Sequence, residues 1–488
     1  MPVNLKKKTN VIIVLIYVVM LLFFVAKGFY YMDNVARFPD ESRHVAYIAT
    51  LEKTGDIIPD FKEMTALREL KDVSGQPLSH ANEDRIKVYV ENPNTTNYLG
   101  HPPLYYHIMR LSGGVAIQGD QILVNLFQLR VFSLAICAVG MVLTFYIGYS
   151  RIKKSIALHL FYAVTCVSVP MLVYNCAGVN NDALSFLAFP ILVLGLLRFL
   201  EGTRDFKTYL LIASGIFLIF FSKLTAALVV LVMVAAMLLY LLIKERNLRF
   251  LISKQFLLTV PLYVLILAYL VVVYRQVGSI QPSLSNLNLE HYHESFFYVP
   301  PAERVSMTVA QYAAYYSKNY FETWTGIASH VSLLKGMSPF TWERIALLGL
   351  WVLPLLLLIP KKGQQKSRKN SAMRSVGLFV YAGLLAASLV QGLRAYLQFQ
   401  YVSGYMGGFQ TRYYLCVIAG LALACTYALQ RLMEGKEQLA MEGEALTADV
   451  SRSVRIRKWV VTAFCVGYSA LLLYEDFIYF ILNFTAYL

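Results

Sequence analysis

Long apolar runs separated by short charged segments dominate the chain. Taken between charges, these runs give eleven candidate spans, which begin near residues 11, 123, 155, 183, 208, 224, 255, 345, 375, 413 and 459. A helix needs about 20 mostly apolar residues to cross the roughly 30 Å of bilayer hydrocarbon, and many of the runs approach that length. The pattern predicts an all-α polytopic membrane protein, with residues 1–488 forming a single membrane-embedded domain.

One stretch allows two interpretations. Between residues 208 and 243 only Lys223 interrupts 35 uncharged residues. As a single helix this stretch would be about 54 Å long, far more than a bilayer needs. As a hairpin with Lys223 at its tip, it returns both flanking basic loops to the same side of the membrane. We favour the hairpin.

The charges are segregated along the chain. Basic residues cluster in every second connecting segment, namely Lys6 to Lys8; Arg151, Lys153 and Lys154; Arg198, Arg204 and Lys207; Lys244, Arg246, Arg249 and Lys254; and those of residues 361–374 and 431–458. The positive-inside rule makes these loops cytoplasmic, which puts the N-terminus inside and the C-terminus outside. The net charge of +15 therefore does not indicate nucleic acid. The low charged fraction, 15%, is typical of a membrane protein.

Two segments are too long to be simple connectors. Residues 32–121 and residues 275–342 form large non-cytoplasmic loops, and loops of this size usually carry function. The cytoplasmic segments are much shorter, and the chain has no GxxxxGK[ST] or GxGxxG phosphate-binding motif. An enzyme of this design would act outside, on substrates delivered through the lipid.

The first large loop begins with an acidic pair at a predicted helix start. Asp40 suits an N-cap, apolar residues at 45, 48, 49 and 51 form one stripe, and Gly55 can end the helix. One interpretation is that Asp40 and Glu41 only cap this helix and stabilise its positive end. The other is that they perform chemistry.

Two further features favour chemistry, although each has a simpler interpretation. The segment from Tyr98 to Tyr106, Y-L-G-H-P-P-L-Y-Y, joins a rigid Pro-Pro to aromatic residues that would also suit a membrane-interface anchor. Arg130 opens the uncharged run 131–150 at the outer rim of the second span. Its side chain can extend to the headgroups or pair with a carboxylate of the first loop.

These motifs resemble a known family. The acidic pair, the H-P-P-L-Y-Y segment and L-R-V-F-S-L at the start of the second span are similar to membrane-embedded glycosyltransferases of the GT-C superfamily, which includes protein O-mannosyltransferases and aminoarabinose transferases. The similarity extends to V-N-N-D-A-L at 179–184, F-S-K-L-T at 221–225 and G-F-Q-T-R-Y-Y at 408–414. The order of spans and loops is similar over most of the chain, whereas the similarity of individual residues is limited to a few short motifs.

The resemblance implies a GT-C-like fold and transfer of a sugar from a polyprenyl-phosphate carrier to an envelope glycan, lipid or protein, in a bacterial cytoplasmic membrane. The implied roles are general base for Asp40, with Glu41 as its helper or substitute; orientation of the catalytic carboxylate for Arg130; donor-phosphate binding for Lys223 and Arg412; and a place in the substrate pocket for His101, Tyr105, Asp182 and Gln410. The simpler interpretation of Lys223 and Arg412 is that they extend to the lipid headgroups.

The second large loop contains two histidines that could bind a metal, and the charged residues also allow a function other than transfer. His291 and His293 lie between Glu290 and Glu294 and could hold a divalent metal, but a solvated polar loop is the favoured interpretation. There is no D-x-D near Asp40, so we expect metal-independent transfer with no other cofactor. The main rival is a flippase or transporter of a lipid-linked glycan. Transporters, however, generally show internal repeats and binding sites at mid-membrane.

Overall fold

A computed structural model of the chain describes residues 3–34, 38–76, 78, 86–246, 248–325, 341–359, 367–434 and 448–476. The helices are α1 Val3–Asn34, α2 Glu41–Thr54, α3 Leu104–Arg110, α4 Leu126–Arg151, α5 Ile156–Val167, α6 Pro170–Ala177, α7 Asp182–Leu200, α8 Phe206–Phe220, α9 Leu224–Glu245, α10 Lys254–Leu257, α11 Val260–Val277, α12 Leu284–Leu287, α13 Leu289–Glu294, α14 Val309–Glu322, α15 Thr341–Val352, α16 Arg368–Leu397, α17 Ile418–Met433 and α18 Ala448–Tyr474. The strands are β1 Thr65–Glu69, β2 Ile86–Thr96, β3 Val115–Gln118 and β4 Gln121–Asn125.

The predicted polytopic helical architecture is confirmed. Eight helical segments within the described residues are long and apolar enough to cross a membrane, and the bent pair α5–α6 adds a ninth if it is counted as one span. Two shorter apolar helices lie at Phe206–Phe220 and Ile345–Leu357. The predicted starts fall at or next to these elements, except that the start near residue 123 lies in strand β4, three residues before α4 begins at Leu126. Eleven complete spans are not confirmed, because two of the apolar runs form helices too short to cross by themselves.

The stretch from 208 to 243 forms two helices, as the hairpin interpretation predicts. Helix α8 ends at Phe220 and α9 begins at Leu224. Lys223 is the N-cap of α9, with an extended backbone (φ −153°) that breaks the helical path. A single lysine within an otherwise uncharged run therefore marks a true helix boundary.

Helices α5 and α6 form one broken element. They meet at an angle of 53°, at a break of two residues just before Pro170. Proline has no backbone N–H to donate and its ring clashes with the preceding turn, so a continuous helix is unfavourable there. The break directs the end of α6 towards the start of α7.

The first large loop contains a β-sheet that the sequence analysis did not predict. Its four strands are antiparallel in the order β1-β2-β4-β3, and the sheet buries Val88, Ile122 and Val124. Three of the strands have only four or five residues, and α3 lies between β2 and β3 in the chain, so their alternation is hard to recognise locally. The prediction of an all-α fold is therefore correct for the membrane-spanning part of the chain, and the first large loop adds a β-sheet to it.

The two large loops meet through a close backbone contact. A Cβ atom on Gly100 would lie 2.3 Å from the carbonyl oxygen of Pro282, so glycine is required at this position. Parts of the predicted loops fall outside the described residues, namely 35–37, 77, 79–85, 326–340, 360–366 and 435–447, as do the C-terminal residues 477–488.

Candidate functional site

The predicted site residues lie near the starts of several helical elements at one end of the bundle. Helix α2 begins at Glu41, α7 at Asp182 and α9 at Leu224, and a 3₁₀ turn, Thr411–Val417, leads into α17. Direct side-chain contacts join these starts to one another, as described below. The N-terminal end of a helix carries partial positive charge and exposed N–H groups, so this end of the bundle favours anions.

Asp40 faces away from the helix that it precedes. It is the N-cap residue of α2, but its backbone is left-handed (φ 55°, ψ 12°) and its side chain makes no capping hydrogen bond. One carboxylate oxygen accepts a hydrogen bond from Arg412 Nη2 at 2.5 Å, and the other accepts one from the Tyr98 hydroxyl at 2.6 Å. The capping interpretation of Asp40 is therefore wrong, and its carboxylate is held by residues distant in sequence.

Glu41 forms a different ion pair. Arg130 donates to both of its carboxylate oxygens, from Nε at 2.9 Å and from Nη2 at 2.6 Å, and the backbone N–H of Val179 donates at 3.1 Å. The sequence predicts that Arg130 pairs with a carboxylate of the first loop, and the structure shows that this carboxylate is Glu41 and not Asp40. The left-handed backbone of Asp40 directs the two adjacent side chains to different partners. Glu41 thereby ties α2 to α4 and to the loop before α7.

Lys223 is held against the start of α7. Its ammonium group forms a salt bridge with Asp182, and both side chains are largely buried. The amide of Asn181 donates to the carbonyl oxygen of Ser222 at 2.6 Å, and the Ser222 hydroxyl donates back to the carbonyl oxygen of Asn181 at 2.7 Å. This reciprocal pair of hydrogen bonds fixes the turn before α9, so Lys223 has little freedom of position.

The two predicted phosphate ligands share an aromatic neighbour. The Lys223 ammonium lies 5.0 Å, and the Arg412 guanidinium carbon 5.6 Å, from the ring centre of Tyr413. Both cations are largely buried, with side-chain exposures of 5% and 6%. Neither extends to the protein surface, which argues against the interpretation that they reach for lipid headgroups.

A cavity of about 340 Å³ opens at these residues. Of the predicted residues it is lined by Asp40, His101, Lys223 and Arg412. Its lining also contains residues that receive no role from the sequence, although some belong to the motifs quoted above: His44, Tyr98, Asn180, Asn181, Arg394 and Tyr405. Arg394 carries a signal that could have identified it, because it follows the uncharged run 375–393 just as Arg130 precedes the run 131–150.

The other predicted pocket residues have different surroundings. Tyr105 is fully buried, and its hydroxyl donates to Ser133 Oγ at 3.2 Å. Tyr106 is also fully buried, so these two tyrosines do not form an interfacial anchor. Gln410 is buried at the start of the 3₁₀ turn that carries Arg412, and Asp182 acts on the cavity through Lys223.

Two stacked imidazoles form part of the cavity wall. The rings of His44 and His101 are 6.1 Å apart and nearly parallel, and His44 Nδ1 is 2.9 Å from the Tyr106 hydroxyl. Burial lowers the pKa of His44 well below 6.5, and burial together with the positive charge of Lys223 lowers the pKa of His101 to about 3. Both rings are therefore neutral near pH 7.

We expect the folded protein to lose stability as the pH falls below 6.5, because the unfolded chain then binds protons that buried His44 and His101 do not. For His44 the loss between pH 6.5 and 5 is at most about 2 kcal/mol, at about 1.4 kcal/mol for each pH unit. Thermal unfolding in detergent at several pH values measures it. The stability of His44→Asn should decline less than that of the wild type as the pH falls. The control is His293→Asn, at an exposed histidine, and its stability should decline as that of the wild type does. Equal declines in all three would contradict this account.

His291 of the second large loop makes a structural contact. His291 Nδ1 accepts a hydrogen bond from the backbone N–H of Thr96 at 3.1 Å, which joins this loop to β2. Among the described residues, no group of three or more His, Cys, Asp or Glu side chains is arranged to hold a metal ion.

Two crystal structures are similar to this chain. Both are of ArnT from Cupriavidus metallidurans, one in the apo state and one bound to undecaprenyl phosphate. They are 13% and 12% identical in sequence, and each match covers 88% of this chain and 80% of the other with a TM-score of 0.35. At this TM-score the likeness carries no conclusion about function.

No curated protein matches the sequence. A family model does, and it extends over residues 22–421, from within α1 to within α17. The matched part includes every element that contributes to the cavity. The model is described as a predicted membrane protein (DUF2142), and the chain belongs to this family of integral membrane proteins.

Proposed function

We propose that this protein is a glycosyltransferase that moves a sugar from a polyprenyl-phosphate donor to a cell-envelope acceptor at the outer face of the membrane. The observation that carries the proposal is the cavity that brings Asp40, Lys223 and Arg412 together at one end of the bundle. Transfer from a phosphate carrier requires a base for the acceptor and cations for the departing phosphate. This cavity contains both.

Each group has a defined part in the proposed reaction. The acceptor hydroxyl oxygen forms a bond to the anomeric carbon of the sugar, and its proton passes to the Asp40 carboxylate. The bond between the anomeric carbon and the phosphate oxygen breaks, and the phosphate leaves with the bonding electrons. Arg412 and Lys223 stabilise the negative charge that develops on it, in a site largely shielded from water.

A second cavity suits the apolar part of such a donor. It has a volume of about 470 Å³, lies between α14 and α16, and is lined almost entirely by apolar and aromatic side chains. Leu389, Gly392 and Leu393 of α16 line this groove, while Gln391 and Arg394 of the same helix line the polar cavity. The two cavities adjoin at Tyr316, which lines the groove and whose hydroxyl donates to the carbonyl oxygen of Gly408 in the lining of the polar cavity at 3.2 Å. A lipid tail in the groove can therefore accompany its phosphate in the polar cavity.

The deciding experiment is transfer by the purified protein in vesicles. The vesicles would contain polyprenyl-phosphate sugars with a radioactive sugar, together with a crude envelope fraction as acceptor. We expect label to move into the acceptor fraction. If the intact donor instead crosses the bilayer and no label is transferred, the flippase interpretation replaces this one.

Filling the groove should weaken donor use. A Cβ atom on Gly392 would meet the Tyr316 ring at 3.5 Å, so the extra carbons of leucine must occupy the groove. We expect Gly392→Leu to raise the KM for the donor roughly tenfold, equivalent to about 1.4 kcal/mol of binding. The matched control is Gly467→Leu on α18, where a Cβ atom meets nothing within 4 Å. An unchanged donor KM in Gly392→Leu would place the lipid tail elsewhere.

A further inference from the structure

Each of the two proposed phosphate ligands already forms an ion pair with a carboxylate of the protein itself. Arg412 donates to Asp40 at 2.5 Å, and Lys223 forms a salt bridge with Asp182. All four side chains are largely buried, with exposures between 5% and 12%. Each cation therefore shares its positive charge with a carboxylate. A donor phosphate can interact with the full charge of either cation only when that cation is no longer paired with its carboxylate.

We propose that, before the donor binds, the carboxylates of Asp40 and Asp182 engage the cations that bind the phosphate, and that donor binding is an exchange of anions in which Arg412 leaves Asp40 for the phosphate. This inference rests on the proposed function. The exchange releases the catalytic base when the donor is in place.

The charges of the cavity agree with an exchange. Its described lining contributes the cations Lys223, Arg394 and Arg412 and the carboxylate of Asp40, and Asp182 adds a second carboxylate through Lys223. One positive charge is therefore in excess. A phosphodiester that links a sugar to a lipid brings one negative charge. A guanidinium binds phosphate oxygens as well as it binds carboxylate oxygens, with paired hydrogen bonds, so Arg412 can change partner without losing its own stabilisation.

Asp40 keeps its place after Arg412 has left it. The Tyr98 hydroxyl donates to the other carboxylate oxygen at 2.6 Å, and the Arg43 guanidinium lies 5.2 Å from the centre of the Tyr98 ring. The amide of Asn97 also donates to the backbone oxygen of Arg43 at 3.0 Å. Tyr98 is thus fixed against α2 independently of Arg412. The exchange requires movement of the Arg412 side chain only, and the base remains oriented.

The exchange also sets an order of events. A carboxylate that shares its charge with a guanidinium is a weaker proton acceptor than one without that partner. An acceptor that arrives first meets Asp40 in this paired state. An acceptor that arrives after the donor meets a carboxylate that Arg412 has left, so productive turnover requires the donor to bind first.

The test is the affinity of the full-length protein in detergent for undecaprenyl phosphate. Asp40→Asn removes the competitor of the phosphate for Arg412, so we expect its dissociation constant to fall by roughly tenfold although transfer is lost. Asp40→Ala should change binding in the same direction. Glu52→Gln on the same helix is the matched control, since Glu52 is 37% exposed and pairs with Arg110 outside the cavity lining, and it should bind as the wild type does. Undecaprenol, which lacks the phosphate, should bind all four proteins equally.

A double-mutant cycle assigns the effect to Arg412. In an Arg412→Ala background, Asp40→Asn should no longer tighten binding. The exchange is overturned if the Asp40→Asn and Asp40→Ala proteins remain monodisperse but bind undecaprenyl phosphate no more tightly than the wild type does. The glycosyltransferase proposal would then still stand. Failure of the wild type to bind undecaprenyl phosphate would overturn both proposals.

Discussion

Replacing Asp40 by asparagine is expected to lower the rate of sugar transfer by roughly 10²- to 10⁴-fold, the usual contribution of a general base. Asparagine has nearly the same shape and can still accept a hydrogen bond from Tyr98, but it cannot take the proton of the acceptor hydroxyl. The initial rate at saturating donor measures the effect, because at saturation the expected change in donor binding does not enter the rate.

The neighbouring carboxylate provides the control for this prediction. Glu41→Gln is expected to retain transfer within about tenfold of the wild type wherever the protein is folded, because Glu41 is engaged by Arg130 and the Val179 N–H. Transfer that survives in Asp40→Asn but is lost in Glu41→Gln would reassign the base to Glu41. Transfer that survives the loss of both carboxylates would exclude the acidic pair as the base.

Replacing Arg130 by alanine is expected to destabilise the folded protein by about 3–5 kcal/mol, the usual result of removing one partner from a buried ion pair. The Glu41 side chain is only 9% exposed and would lose both hydrogen bonds from the guanidinium, while the Val179 N–H would still donate to it. The change also removes the contact of the guanidinium with the Phe38 ring, at 4.6 Å. Thermal unfolding in detergent measures the loss.

Two further variants test the cause of this destabilisation. The double variant Glu41→Gln with Arg130→Gln removes both charges, so it should recover part of the stability. Lys53→Ala breaks an exposed pair with Glu91, whose side chains are 54% and 39% exposed, and should cost less than about 1 kcal/mol. If Arg130→Ala is no more destabilising than Lys53→Ala, the Glu41–Arg130 pair does not hold α2 in place.

The structure changes how the acidic pair is understood. From the sequence alone, Asp40 and Glu41 form one acidic pair in which Glu41 can help or replace Asp40. In the folded protein, Asp40 lines the cavity beside Arg412, whereas Glu41 joins α2 to α4 through Arg130. The left-handed backbone of Asp40 is what separates them. Adjacent residues of the same charge thereby acquire different proposed roles.

The sequence by itself determined the helical membrane architecture and the short list of charged residues worth examining. Apolar runs of span length can be recognised because the bilayer sets both their length and their composition. A lone charge in or beside such a run stands out because it is costly in hydrocarbon, and for this reason the sequence singles out Lys223, Arg130 and Arg412 as candidate functional residues.

Only the tertiary structure decided which of these charges meet. The pairs Asp40–Arg412, Glu41–Arg130 and Lys223–Asp182 join residues that are between 41 and 372 positions apart in the chain. Local patterns carry no information on which helix starts face each other, because this depends on how all the helices pack. The sheet of the first loop, the cavity contribution of Arg394 and the groove between α14 and α16 arise from the same packing.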